Sequence, residues 1–283
     1  MQSRITGPGA EVPIPHMQME QLVPLSAMSD EQFRALCESI LVVVPYRMEE
    51  GVDPGVCQHF GIWGRLSLRY STLRDPHGGF VEIVRGHAER VFLDLADQHP
   101  EIKYLVMIDN DQAIDWDAPL RLAAHDLPVV SGIVCGFSSE RGVFACIMVE
   151  DDNGTPRYPT YRFTKRFPGR GIREVYGCGT GLICIRRDVI ETLVARGEQA
   201  FMIPEHLRRE SYRTGVIKQG EDFSFCERVR AAGFKIHADF EVRATHFKTI
   251  AIAWPQELLD DTLDANDWKP STLDYRGLRD AAG

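Results

Sequence analysis

Two aspartates separated by one residue, Asp109-Asn110-Asp111, stand directly after the apolar run Tyr104-Leu105-Val106-Met107-Ile108. Carboxylates spaced this way at the end of a buried strand can converge on a hard cation. Mg²⁺ and Mn²⁺ prefer oxygen ligands and leave room for water and phosphate. Such a cation neutralises a diphosphate as it departs. Two solvated loop carboxylates fit the same three letters equally well. A second pair with this spacing, Asp115-Trp116-Asp117, follows shortly after but abuts no apolar strand.

Four other places carry chemistry. Gly220-Glu221-Asp222 opens a helical stretch. Acidic residues there complement the helix dipole, and beside a pocket a first-turn carboxylate can also take a proton from a hydroxyl. His246, in Ala244-Thr245-His246-Phe247, follows a strand-like stretch. Its imidazole can complete a carboxylate-bound Mn²⁺ site, or serve packing alone. Gly177-Cys178-Gly179-Thr180-Gly181 would let a sugar or phosphate approach the backbone closely. It has neither the Walker A lysine nor a dinucleotide fingerprint, so a bend into a strand is the competing reading. Finally, Arg157, Arg162, Lys165, Arg166, Arg170 and Arg173 alternate with Tyr158, Tyr161, Phe163 and Phe167. This stretch suits a diphosphate, an anionic acceptor or single-stranded nucleic acid. It suits a charge-protected hairpin edge as well.

These residues need elements to position them. Ser29-Asp30-Glu31-Gln32 reads as a capping box that starts a helix through Phe33, Leu36, Cys37 and Ile40. Leu41-Val42-Val43-Val44 predicts a first buried parallel strand ending at Pro45. The spacing of Ala88, Val91, Phe92, Leu95 and Ala96 predicts a helix over 81–98, and 104–108 a second buried strand. A helix over 118–125 and a strand over 128–134 follow. Strands over 143–149 and 157–163 flank the turn signal Asp151-Asp152-Asn153-Gly154, which predicts an antiparallel hairpin. Then come a strand over 180–185, a helix over 188–196 stopped by Gly197, a helix over 221–232 stopped by Gly233, and a short strand over 235–240. Strand–helix alternation followed by hairpin material indicates a mixed α/β sheet with a parallel half. Ligands bind such sheets beyond the carboxyl ends of the strands. Asp109 and Asp111 sit at one.

Bulk properties narrow the classes. The chain has 283 residues, 44% hydrophobic and 26% charged, which suffices for a large buried core. No apolar run approaches the roughly 20 residues of a membrane span. Residues 1–28 read as an irregular arm without a signal core, residues 29–250 as the main domain and 251–283 as an acidic tail. A net charge of −9 disfavours a general duplex-DNA binder. Seven cysteines at wide spacings, with no C-x-x-C pair, suggest reduced core thiols in a cytoplasmic protein.

In their order and spacing over roughly 41–248, these pieces resemble the GT-A glycosyltransferase superfamily of nucleotide-diphospho-sugar transferases. Leu41 to Arg47 looks like its nucleotide-binding first strand, and Val84-Arg85-Gly86-His87-Ala88 like the arginine-bearing start of the helix before the D-x-D strand. Residues 104–111 are similar to the D-x-D segment, and 179–189 to the glycine-rich acceptor-side strand and its helix. Gly220-Glu221-Asp222-Phe223-Ser224-Phe225-Cys226-Glu227-Arg228, with Ala232-Gly233, is the most specific match.

The resemblance implies a Rossmann-like mixed sheet flanked by helices and a Mn²⁺ or Mg²⁺ cofactor bound by Asp109, Asp111 and His246. It implies that Pro45, Arg47, Arg85, Asp109, Gly179, Thr180 and Gly181 line the nucleotide-sugar donor, with uridine the expected base. It makes Asp222, with Glu221 beside it, the catalytic candidate: a base on the acceptor hydroxyl if the reaction inverts configuration. The acceptor stays open among glycan, protein and modified nucleic acid. A non-catalytic glycan- or nucleic-acid-binding protein and a nucleotidyltransferase are the alternatives. The second lacks its usual glycine-rich basic loop, since Pro45-Tyr46-Arg47-Met48-Glu49-Glu50 follows the first strand.

Overall fold

The computed structural model describes residues 24–47, 52, 54–75, 81–138, 142–150, 161–163, 170–206, 209, 213 and 220–247. In chain order the first half comprises α1 (Asp30–Glu38), β1 (Ile40–Arg47), α2 (Pro54–Cys57), α3 (Phe60–Arg65), β2 (Arg69–Asp75), α4 (Val81–Gln98), β3 (Tyr104–Ile108), β4 (Gln112–Ala113) and α5 (Ala118–Ala124). There follow β5 (Val129–Ser138), β6 (Gly142–Ala145), β7 (Ile147–Glu150), β8 (Tyr161–Phe163), β9 (Ile172–Val175), β10 (Gly177–Cys178), β11 (Leu182–Arg186), α6 (Arg187–Ala195), α7 (Glu221–Ala231) and β12 (Ile236–His246).

The main sheet runs β2-β1-β3-β11-β5-β12-β4, with β6 added to β5 and β9 to β12. β1 pairs in parallel with β2 and β3, and β5 in parallel with β12, while β11 is antiparallel to both of its neighbours. This is the mixed α/β sheet flanked by helices that the sequence implied. The apolar run of β1 is continuous because both faces are covered. Leu41 and Val43 join Ala88, Phe92, Ala96, Val189, Ile190, Phe225 and Val229 of α4, α6 and α7. Ile40, Val42 and Val44 join Cys37, Trp63, Leu120 and Leu122 of α1, α3 and α5. Alternate residues of one strand thus feed two separate cores.

Several expectations meet the structure directly. Ser29 Oγ accepts from Gln32 N at 3.2 Å and Gln32 Oε1 from Ser29 N at 2.9 Å, the reciprocal cap read from the sequence. Gly197 and Gly233 sit at φ +74 and +90 just past α6 and α7, a backbone region that glycine enters without penalty. The hairpin pairing exists as β7 against β8, Met148 opposite Phe163 and Glu150 opposite Tyr161. Its turn, 151–154, lies outside the described residues, as do 1–23 and 248–283. All seven cysteines are free thiols, and Cys37, Cys178, Cys184 and Cys226 are buried. Among the described residues no helix is long and apolar enough to cross a membrane.

Four differences have physical causes. β1 runs through Pro45 to Arg47, because its pairing with β3 ends at Val43 and Pro45 faces only β2. The stretch expected as one strand over 143–149 breaks at Cys146, giving β6 to β5 and β7 to β8 and β10. β2, with its mixed polar run, escapes the apolar pattern altogether. β12 is longer than the strand expected over 235–240. Its register against β5 shifts between Ala238 and Arg243, and beyond this bulge it continues to His246. Asp239 holds the bulge: Oδ1 accepts from Glu241 N at 2.8 Å, and Oδ2 lies 2.9 Å from His125 Nε2.

Candidate active site

The site begins at the carboxyl end of β3. Asp109 N donates to Gly181 O at 2.8 Å, extending the β3–β11 ladder by one bond and fixing where the carboxylate projects. Arg85 approaches from α4. It shares a helix face with Ala88 and Phe92, whose packing on the sheet turns that face inward. Its Nη2 donates to Asp109 Oδ1 at 2.7 Å; Nη1 donates to Glu221 Oε1 and stands 3.6 Å from Asp222 Oδ1. Only 4% of the Arg85 side chain is exposed. Glu221 and Asp222 come from the first turn of α7, where the helix dipole favours negative charge. One guanidinium therefore gathers carboxylates from two distant parts of the chain.

The electrostatics follow. Burial by itself would depress the Arg85 pKa, but the charges of Asp109, Asp222 and Glu221 outweigh it and raise the value, so Arg85 is permanently cationic. Burial pushes Asp222 up to about 7, Glu221 pushes the same way, and Arg85 pulls it part of the way back. Its side chain still keeps 31% of its surface open, so this carboxyl is desolvated yet reachable. A carboxyl poised near neutrality is matched to proton transfer at ordinary pH.

The second half of the site lies two residues on. The end of β12 pairs with β4, His246 opposite Gln112, and Phe247 N donates to Asp111 O at 2.8 Å. These bonds bring His246 Nε2 to 3.1 Å from Asp111 Oδ2. His246 Nδ1 is 2.7 Å from Cys135 O, and a carbonyl can only accept, so the proton sits on Nδ1. Nε2 and Oδ2 then face each other as two acceptors unless positive charge lies between them. A backbone carbonyl that fixes the imidazole tautomer in this way is a usual support for a metal-binding histidine. Asp111 and His246 therefore fit a divalent cation, with Asp109 turned instead towards Arg85. Among the described residues no three His, Cys, Asp or Glu side chains cluster closely enough to hold a metal by themselves, so the remaining ligands would come from substrate and water.

Gly179 and Gly181 pack tightly beside these carboxylates. A Cβ on Gly179 would meet Cys146 Cβ at 3.0 Å and Asp222 Oδ2 at 3.7 Å. One on Gly181 would fall 2.1 Å from Gln112 Nε2 and 2.8 Å from Asp109 Oδ2. A side chain at Gly181 would collide with the Gln112 amide and crowd Asp109, and one at Gly179 would press on Cys146, so both positions need a bare backbone. Thr180 is fully buried, and among the described residues its Oγ1 has no hydrogen-bond partner.

The structure thus brings Arg85, Asp109, Gly179, Gly181, Glu221 and Asp222 together, with Asp111 and His246 alongside. Pro45 is buried in β1, and Arg47 ends that strand, its side chain outside the described residues. The second D-x-D is a connector into α5: Ala118 N donates to Asp115 O, and Trp63 Nε1 to Trp116 O at 2.8 Å. Of the basic stretch, Arg157, Lys165 and Arg166 lie outside the described residues. A groove of ≈ 640 Å³ flanks α4 at Ile83, Gly86, His87 and Arg90 and shares none of the carboxylates above. Gln112, buried beside Gly181 and Asp109, was not singled out in the sequence.

No family model matches the chain, and no curated protein does. Solved structures similar to it include A197 from STIV, at 19% identity and TM-score 0.46 over 74% of this chain and 86% of that one. Another is GalNAc-T7 with UDP, GalNAc and Mn²⁺, at 11% identity and TM-score 0.43 over 75% of this chain and 43% of that one. A third is a glycosyltransferase involved in the glycosylation of the major capsid of PBCV-1, at 11% identity and TM-score 0.31, covering 71% and 91%.

Proposed function

We propose that the chain transfers a sugar from a nucleoside-diphosphate sugar, UDP-linked in the first instance, to an acceptor hydroxyl with help from Mn²⁺ or Mg²⁺. The observation that carries this reading is the convergence of Asp109, Glu221 and Asp222 on the buried guanidinium of Arg85, next to the Asp111–His246 pair.

Asp222 Oδ1 faces Arg85, and Oδ2 lies on the Gly179 side of the cleft. In this reading Oδ2 takes the proton from the acceptor hydroxyl as its oxygen attacks the anomeric carbon. Glu221 and Arg85 set the basicity of Asp222 from opposite directions. Gly179 and Gly181 let the donor lie against backbone. Asp111 and His246 would hold the cation, which neutralises the diphosphate when bound.

The test is hydrolysis of UDP-sugars by the purified chain with Mn²⁺ and after EDTA treatment, with calorimetry on the same nucleotide panel. Turnover should need the metal and be lost in Asp111→Ala. Undiminished hydrolysis in EDTA rejects the metal's part. Glycan binding without nucleotide binding replaces the enzyme with a lectin-like protein.

A further inference from the structure

Strand β12 exchanges its faces part of the way along. Ile236, Ala238 and Phe240 pack into the core covered by α4, α6 and α7, whereas Val242 and Ala244 pack into the opposite core, with α1, α3 and α5. Side chains alternate along a regular strand, so residues of one parity should share one face. The exchange occurs in the bulge: from Ala238 to Arg243 β12 advances five residues while β5 advances two, from Ser131 to Ile133. An odd surplus of residues turns every later side chain over. The bulge therefore decides that His246, rather than its neighbour Thr245 or Phe247, is presented to Asp111, 3.1 Å away. Asp239 holds this bulge through both of its oxygens. Oδ1 accepts from Glu241 N at 2.8 Å within the bend, and Oδ2 accepts from His125 Nε2 at 2.9 Å at the end of α5. Only 5% of the Asp239 side chain and 8% of the His125 side chain are exposed. A carboxylate is buried this deeply only when it is paired, so the bend and the pair depend on each other.

We infer that Asp239, braced by His125, is a positioning residue for the Asp111–His246 pair: it fixes the bulge that turns His246 to Asp111, and through that orientation it sets the affinity for a divalent cation. The inference rests on the metal-binding reading above and deepens it. Neither Asp239 nor His125 touches the cation site. Their action passes along the strand, from the bend to the paired end where His246 stands opposite Gln112 and Phe247 N donates to Asp111 O. Groups that orient a metal ligand from behind tune its affinity without contributing a ligand themselves.

The experiment is Mn²⁺ titration of the full chain, followed by the paramagnetic resonance of the free ion, together with amide hydrogen exchange in the absence of metal. Asp239→Ala should weaken Mn²⁺ binding by about 10–100-fold. In the same variant Phe247 N should exchange faster, while Asp109 N, bonded to Gly181 O, stays protected. Asp239→Asn keeps an oxygen for Glu241 N and should recover most of the affinity. His125→Leu, which removes the brace from the other side, should shift affinity and exchange in the same direction and serves if Asp239→Ala melts early. His125→Gln, whose amide nitrogen can replace Nε2 as donor, should restore both. Wild-type Mn²⁺ affinity in Asp239→Ala or in His125→Leu overturns the positioning role while leaving the metal reading intact. So does faster exchange spread evenly over Phe247 and Asp109, the mark of general loosening. A wild type that binds no Mn²⁺, or a His246→Ala variant that binds it equally well, overturns both.

Discussion

The two halves of the candidate site are built on different principles. Around Arg85, three carboxylates from the end of β3 and the start of α7 converge on one guanidinium, with 4% of the arginine side chain exposed. At Asp111 and His246, two groups meet at 3.1 Å with 32% and 15% of their side chains exposed, and the imidazole is oriented by one carbonyl. The first half is held together mainly by contacts within the fold, although the buried Arg85 Nε has no hydrogen-bond partner among the described residues. The second brings an imidazole nitrogen and a carboxylate oxygen to 3.1 Å, a pair that a shared proton or a cation can join.

The sharpest way to test this division is to remove charge from each half. Asp222→Asn should lower kcat for sugar transfer by about 10²–10⁴-fold with the fold retained, the usual range for a lost general base. Activity within a few fold of wild type would remove Asp222 from the chemistry. Arg85→Met should cost about 3–5 kcal/mol in urea denaturation, since it strands three carboxylates without their cation. His246→Ala should cost under about 1 kcal/mol, because its partly exposed pair adds little to stability, yet it should abolish Mn²⁺ binding in titration calorimetry. Equal losses of stability in these two variants would erase the distinction.

Smaller effects sharpen it further. Gly181→Ala should destabilise by about 1–3 kcal/mol by forcing Gln112 and Asp109 apart. Adding Gln112→Ala should return part of that loss, and strict additivity in the double variant would show that the two do not share the space. The pH dependence is the mildest expectation. Asp222 acts as a base only when ionised, so kcat/KM should climb as pH rises through about 7 and level off above it. Stability should move the opposite way. The native state keeps this proton above the ordinary carboxylate range while the unfolded chain releases it, so the contribution of Asp222 declines as pH rises from that range to about 7. Asp222→Asn should flatten both slopes; an unchanged kcat/KM profile would assign the titration to another group.

Much of the frame was legible because its signals are local. α4 and β3 lie where their periodicities put them, at Val81–Gln98 and Tyr104–Ile108. The capping box at Ser29 needs only its own four residues. β2 was illegible because Arg69-Tyr70-Ser71-Thr72-Leu73-Arg74-Asp75 is an edge strand with one neighbour, so its polar residues carry no burial pattern. The length of β12 was hidden by its bulge: an exposed Glu241 interrupts the apolar run, and the His125–Asp239 contact that holds the bend spans 114 positions.

The sequence by itself determined which chemistry is on offer: carboxylates at the end of a buried strand and at a helix start, a late histidine, and glycines where a backbone must be approached. Residue type and short-range spacing set these, and they are properties of the chain before it folds. Which carboxylate faces which partner was decided only in three dimensions. Arg85 lies 24 positions from Asp109 and 136 from Glu221, and Asp111 lies 135 from His246. Asp109 therefore belongs to an arginine and Asp111 to a histidine because β11 and the end of β12 pair beside them. Long-range strand pairing fixes those directions, and no local pattern in the chain encodes it.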